Sequence, residues 1–96
     1  MLRHIVLLTF KDSATEAERQ ALHDAVSALK DKVPEVLSLT CGANVGSGPN
    51  HHDYALVADF EDMAAFKRYI ASPAHRAYVD GPAKAVARIA AIQQQI

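Results

Sequence analysis

Among the polar residues His75 has the most useful chemistry, because an imidazole held neutral accepts a proton at physiological pH. It stands three positions after Ser72 in Ser72-Pro73-Ala74-His75, a capping residue followed by proline at the first helical position. That spacing places His75 in the first turn of a short helix, Pro73 to Val79, where the positive end of the helix dipole disfavours the imidazolium and lowers its pKa. Tyr69 lies six residues earlier, and a chain that reverses at Ser72-Pro73 brings its phenol towards the same space. His4 begins an apolar strand in register with Val6 and Leu8, and Tyr54 takes the corresponding side of a later strand. Four hydrogen-bonding groups on otherwise apolar elements predict a pocket between sheet and helices that orients a mostly hydrophobic ligand. The plainer alternative is that His75 caps its own helix and the tyrosines are ordinary packing residues.

Other reactive types have weaker patterns. His51-His52-Asp53 contains metal-ligand chemistry, but adjacent strand residues point to opposite faces, so only His51 and Asp53 could share an ion and no third ligand is evident. No metal is expected. His23 falls on the polar side of a helix and is read as solvated. Cys41 lies within a strand with no neighbouring cation to activate it, and is read as a small apolar filler. Gly46-Ser47-Gly48 joins two strands and precedes no helix, so it is not a phosphate-binding loop, and no cofactor is expected.

These residues need a scaffold, and the hydrophobic periodicity supplies one. From Arg3 to Lys11 both alternating sets are largely apolar, which predicts a strand buried on both faces. Thr15 and Glu18 have capping-box spacing, and Ala21, Leu22, Ala25, Val26, Leu29 and Val33 then recur at helical steps, predicting a helix from about Glu16 to Lys32 that Pro34 ends. Period two returns from Val36 to Val45 and again from about His52 to Phe60, around the loop Gly46 to Asn50. With no helix between them, these two strands form an antiparallel hairpin. Asp62 caps the next helix, whose buried stripe is predicted as Met63, Phe66 and Ile70. Gly81-Pro82 follows the short helix, and Ala87 to Gln94 alternates as a last strand.

The order β-α-β-β-α-(α)-β predicts an α+β fold, a ferredoxin-like four-stranded antiparallel sheet with its helices on one face. The other face lacks a cover. Because the first strand is apolar on both sides, a second copy is expected to pack there, sheet on sheet, as a homodimer.

Composition bounds the answer further. The chain has 96 residues, 50% of them apolar, and a formal charge of -1 from 10 basic and 11 acidic side chains. A chain of this length is expected to form one domain, 1–96. No Lys/Arg run exceeds two residues, so nucleic acid is not an expected partner. Ile5-Val6-Leu7-Leu8 is too short to cross a membrane, and a lone Cys41 needs no oxidising compartment, so the expected location is cytoplasmic. Three Tyr, three Phe and no Trp make a modest core, which again favours association.

Several separated blocks resemble the stress-responsive A/B barrel family. They are His4-Ile5-Val6-Leu7 with Phe10-Lys11, Val33-Pro34-Glu35-Val36, Gly42 with Asn44-Val45, Tyr54-Ala55-Leu56-Val57 with Phe60-Glu61, and Tyr69-Ile70-Ala71-Ser72-Pro73-Ala74-His75. The resemblance implies a ferredoxin-like subunit that pairs into a dimeric α+β barrel. Most members have no established reaction, although one plant member closes a linear polyketide by intramolecular aldol condensation without a cofactor. Its proposed base carries over to His75, its supporting tyrosine to Tyr69 and a first-strand histidine to His4. Many members have Tyr-x-His where this chain has His52-Asp53-Tyr54. Two functions are therefore expected: a non-catalytic dimeric module that binds a small aromatic or acyl molecule, or a cofactor-independent cyclase-like lyase with His75 as general base.

Overall fold

The computed structural model describes all 96 residues. Strand β1 (Leu2–Phe10) alternates buried Leu2, His4, Val6, Leu8 and Phe10 with more exposed Arg3, Ile5, Leu7 and Thr9. Helix α1 (Glu16–Lys32) starts at a complete capping box. The Thr15 hydroxyl accepts from the Glu18 amide at 3.1 Å, and the Glu18 carboxylate accepts from the Thr15 amide at 2.9 Å. Such a cap is worth about 1 kcal/mol. Leu22, Val26 and Leu29 form the buried stripe of α1, each contributing roughly 1.5 to 3 kcal/mol by leaving water. Val33, forced out of the helical region by Pro34, is extended and ends the helix.

Strand β2 (Ser38–Ala43) is shorter than the period-two pattern from Val36 to Val45. Val36 sits buried in a turn, its amide bonded to the Val33 carbonyl. At the other end, Asn44 turns its side-chain amide to the backbone of Gly46. Strand β3 (Tyr54–Phe60) returns beside β2. The Asp62 carboxylate then caps α2 (Met63–Ala71) by accepting from the Ala65 amide. Ser72 ends α2 and caps α3 (Pro73–Asp80), and a 3-10 turn over Pro82–Ala85 leads into β4 (Val86–Gln95).

The expected stripe of α2 needs correction. The helix buries Ala65 and Tyr69, whereas Met63 and Ile70 are exposed. The aromatic ring decides the rotation: Tyr69 packs on Phe60 with ring centroids 5.0 Å apart, and an aromatic ring removes more apolar area from water than an aliphatic side chain.

All strand pairs are antiparallel, in the order β2-β3-β1-β4. This is the ferredoxin-like arrangement. Below the helices lie two apolar clusters, one around Val6, Leu8, Phe10, Leu22, Val26, Tyr54 and Leu56, the other around Leu2, Leu29, Val33, Phe60, Ala65 and Tyr69. The opposite sheet face has no helix. Strand pairing aligns Ile5 with Val57 and Ile92 in one row, and Leu7 with Ala55 and Ala90 in the next. A polar row flanks them, where the Arg3 guanidinium donates two bonds to Asp59 at 2.8 and 3.0 Å and Ser38 donates a third at 3.1 Å. No helix of the chain is long and apolar enough to cross a membrane.

Candidate functional site

His4 is one of two polar residues that the chain buries, the other being Asp59. It lies on β1 between Leu2, which belongs to one apolar cluster, and Val6, which belongs to the other. At this seam the core does not close. A cavity of about 370 Å³ remains between the sheet and α2 and α3. Its walls include Val6, Leu8 and Leu56 from the sheet, Ile89 from β4, and Tyr78 and Val79 from α3. The polar groups are His4, Tyr69 and His75, with Tyr78 and Arg88 beside them.

The local sequence explains how these groups meet. Ser72-Pro73 breaks the helix, so Tyr69 at the end of α2 and His75 in the first turn of α3 face each other with ring centroids 4.8 Å apart in an edge-on contact. Tyr69 also approaches the His4 ring, at 6.4 Å between centroids, and Phe66 covers His4 at 4.7 Å. The His75 amide donates to the Ser72 hydroxyl at 3.2 Å. Helix capping is thus done by the Ser72 hydroxyl and not by the His75 ring.

Hydrogen bonding singles out the same groups. The Tyr69 hydroxyl and the ring nitrogens of His75 are in no side-chain hydrogen bond, yet no sealed side-chain polar atom of the chain lacks a partner. These atoms therefore reach open space, and the cavity they line is that space. Electrostatics then assigns their protonation. Burial pushes the His4 pKa down to about 4, with the neighbouring His75 adding to the effect. Burial also lowers the His75 pKa; Arg76 lowers it further, while the Ile70 backbone pulls the other way. The lowering is in the direction that the helix dipole predicts, and desolvation is its largest cause. Burial pushes Tyr69 up to about 12, with Tyr78 adding to the rise. At neutral pH the cavity thus holds two neutral imidazoles and a protonated phenol. Chemically, this is a base beside a hydrogen-bond donor in an apolar wall.

Tyr54 is not part of this group. It is buried on β3, and its hydroxyl lies 2.7 Å from Nδ1 of His23 on α1, at the opposite end of the sheet face from Tyr69. Shared sheet side was a correct expectation, but β3 runs antiparallel to β1 and pairs Tyr54 with Leu8, whereas His4 pairs with Ala58. His23 is accordingly half-buried and bonded rather than solvated. Its position three residues before Val26, at the edge of the buried stripe, was the available signal. His52 Nδ1 lies 2.9 Å from the Thr9 hydroxyl, and the Asp53 carboxylate accepts from the Phe10 amide at 2.8 Å. No three His, Cys, Asp or Glu side chains come together as a metal-binding group.

The sequence model of the stress-responsive A/B barrel domain matches residues 2–94. The chain belongs to that family. Among proteins similar to it, an uncharacterized protein of Streptomyces coelicolor is 32% identical over 81 residues, covering 82% of this chain and 84% of the relative. Olivetolic acid cyclase of Cannabis sativa is 26% identical over 81 residues, covering 82% of this chain and 80% of the enzyme. The crystal structure of a dimeric ferredoxin-like protein of unknown function from Thermobifida fusca superposes with a TM-score of 0.88 at 30% identity, over 99% of this chain and 90% of that one.

Two features of this A/B barrel chain escape a reading of its sequence. Tyr78 and Val79, to which spacing and residue type assign no role, form part of the cavity wall. Gln93 on β4 lies with its side-chain nitrogen 2.9 Å from Nδ1 of His4. The partnership depends on the β1–β4 register, which pairs His4 with Gln93. Weak alternation in the last strand gave no register.

Proposed function

We propose that this chain is a single A/B barrel domain acting in the cytoplasm as a homodimer, whose cavity binds a small, largely apolar molecule bearing a carbonyl oxygen. One observation carries the reading. His4, Tyr69 and His75 bring their free hydrogen-bonding atoms to one cavity whose remaining walls are mostly apolar. Its volume of about 370 Å³ falls in the range of small-molecule sites. Pairing through the helix-free sheet face is supported by the exposed rows around Ile5 and Leu7 and by the description of the Thermobifida fusca neighbour as dimeric. The cytoplasmic setting rests on the lone free Cys41.

A second reading follows from the protonation states, and the similarity to olivetolic acid cyclase supports it. In it, the His75 lone pair takes a proton alpha to a carbonyl. The C–H electrons become a carbon–carbon double bond, and the carbonyl electrons move onto oxygen, which the Tyr69 phenol stabilises. The enolate carbon then attacks a second carbonyl of the same molecule, forming the ring bond, and the new alkoxide recovers the proton from His75. General base catalysis contributes on the order of a hundred- to ten-thousand-fold, and holding the reacting carbons close together in the cavity would supply the rest.

Native mass spectrometry of the purified protein, with and without added aromatic and aliphatic β-diketones, tests the binding reading. A bound species lost in His75→Ala and Tyr69→Phe supports it, and no retained species in any preparation overturns it. Incubation with a linear poly-keto thioester separates the two readings, because only the second consumes it.

A further inference from the structure

The Gln93 contact has a chemical consequence for His4. We propose that Gln93 is a positioning residue which holds the neutral His4 ring in its Nε2–H form, making His4 a hydrogen-bond donor to an oxygen atom of the bound molecule. The inference rests on the reading of the cavity as a ligand site and adds the polarity of the group it recognises.

The Gln93 side-chain nitrogen, 2.9 Å from Nδ1 of His4, carries two hydrogens and no lone pair to offer. It only donates, so Nδ1 must accept. A neutral imidazole that accepts at Nδ1 carries its proton on Nε2. Nε2 has no hydrogen-bond partner in the chain and is not a sealed atom, so it opens to the cavity that His4 lines. Protonating the ring would set Nδ1–H against the amide hydrogens, which opposes the charge in the same direction as burial.

The titratable neighbours of His4 do not compete for Nδ1. Tyr69 faces the ring from α2 and His75 acts on it from α3, while Phe66 carries no charge. On the sheet, its paired residues are Ala58 and Gln93. The two histidines therefore take opposite roles. His75 has a lone pair available to a proton, and His4 presents N–H to an acceptor. A ligand matching both carries a carbonyl, enolate or carboxylate oxygen near a removable proton, and an ammonium compound does not fit.

Gln93 is otherwise exposed on an edge strand, and the ladder is regular there, its one register shift lying between Thr9 and Phe10. Replacing it opens no void. The test records long-range proton–nitrogen NMR correlations of the His4 ring in the ligand-free protein and in the variants Gln93→Glu and Gln93→Leu, with benzoylacetone as binding probe. The expected result is a single Nε2–H form in the native protein, a mixture in Gln93→Leu, and Nδ1–H in Gln93→Glu. The carboxylate should also raise the His4 titration midpoint by roughly 1 to 3 pH units, and benzoylacetone affinity should fall about five- to tenfold. An Nδ1–H ring in the native protein, or a tautomer indifferent to both substitutions, overturns the role of Gln93. The predicted tautomers without benzoylacetone binding would instead overturn the donor role towards a ligand and the cavity reading beneath it, leaving the contact as local structure.

Discussion

The rings of Tyr69 and His75 meet edge-on at 4.8 Å across the point where Ser72 ends one helix and caps the next. Both are adjacent to the same cavity, and their pKa values are displaced so that one is a base and the other a donor at neutral pH. If the second reading holds, His75→Ala abolishes turnover of a poly-keto substrate while circular dichroism and Tm stay near native. Tyr69→Phe lowers kcat by about 100-fold, as loss of one donor to a developing oxyanion does elsewhere. Undiminished turnover in His75→Ala removes the base from the mechanism.

Substitution on the other sheet face addresses assembly. Ile92 is 58% exposed in the subunit and shares a row with Ile5 and Val57. Ile92→Glu places a charge where a second copy would exclude water, so the variant should sediment as a monomer in analytical ultracentrifugation, whereas the native chain should sediment as a dimer. A native monomer, or an unaffected dimer in the variant, refutes pairing through this face.

The buried His4 makes stability depend on pH. Its imidazole titrates near 6.5 when unfolded and at about 4 when folded. Between those values the unfolded chain binds more protons, so stability is full above about pH 6.5 and declines as pH falls towards 4, by up to roughly 3 kcal/mol. His75, also lowered, adds in the same direction. Urea unfolding at pH 7 and pH 4.5 should show the loss, and His4→Gln should remove most of it. An unchanged pH dependence in that variant contradicts the burial argument.

Tyr54 and Tyr69 should behave differently when their hydroxyls are removed. Tyr54→Phe keeps the ring in the core but breaks the contact with His23, costing about 0.5 to 1.5 kcal/mol of stability. Since Tyr54 does not line the cavity, binding of any ligand there should be unchanged. In Tyr69→Phe, whose hydroxyl has no protein partner, stability should hold and binding should fall. Equal effects of the two substitutions on binding would show that the sites are not separate.

Much of the fold was legible because its signals are local. The Thr15/Glu18 capping box, Pro34, Asp62 and Ser72-Pro73 act within three or four residues, and each marks a boundary found in the structure. The site was legible in part for the same reason, since the distance between Tyr69 and His75 is set by one short helix break. The α2 stripe was misjudged because the choice between Ile70 and Tyr69 is made by Phe60 on another element.

Periodicity and capping alone therefore determined a β-α-β-β-α-α-β chain, a first strand apolar on both sides, and a histidine in the first turn of α3. Tertiary structure decided which polar groups meet. Antiparallel pairing carried Tyr54 away to His23 and brought Gln93, 89 residues along the chain, to His4. Strand register relates residues distant in sequence by a period of only two, and no local signal distinguishes one register from the next.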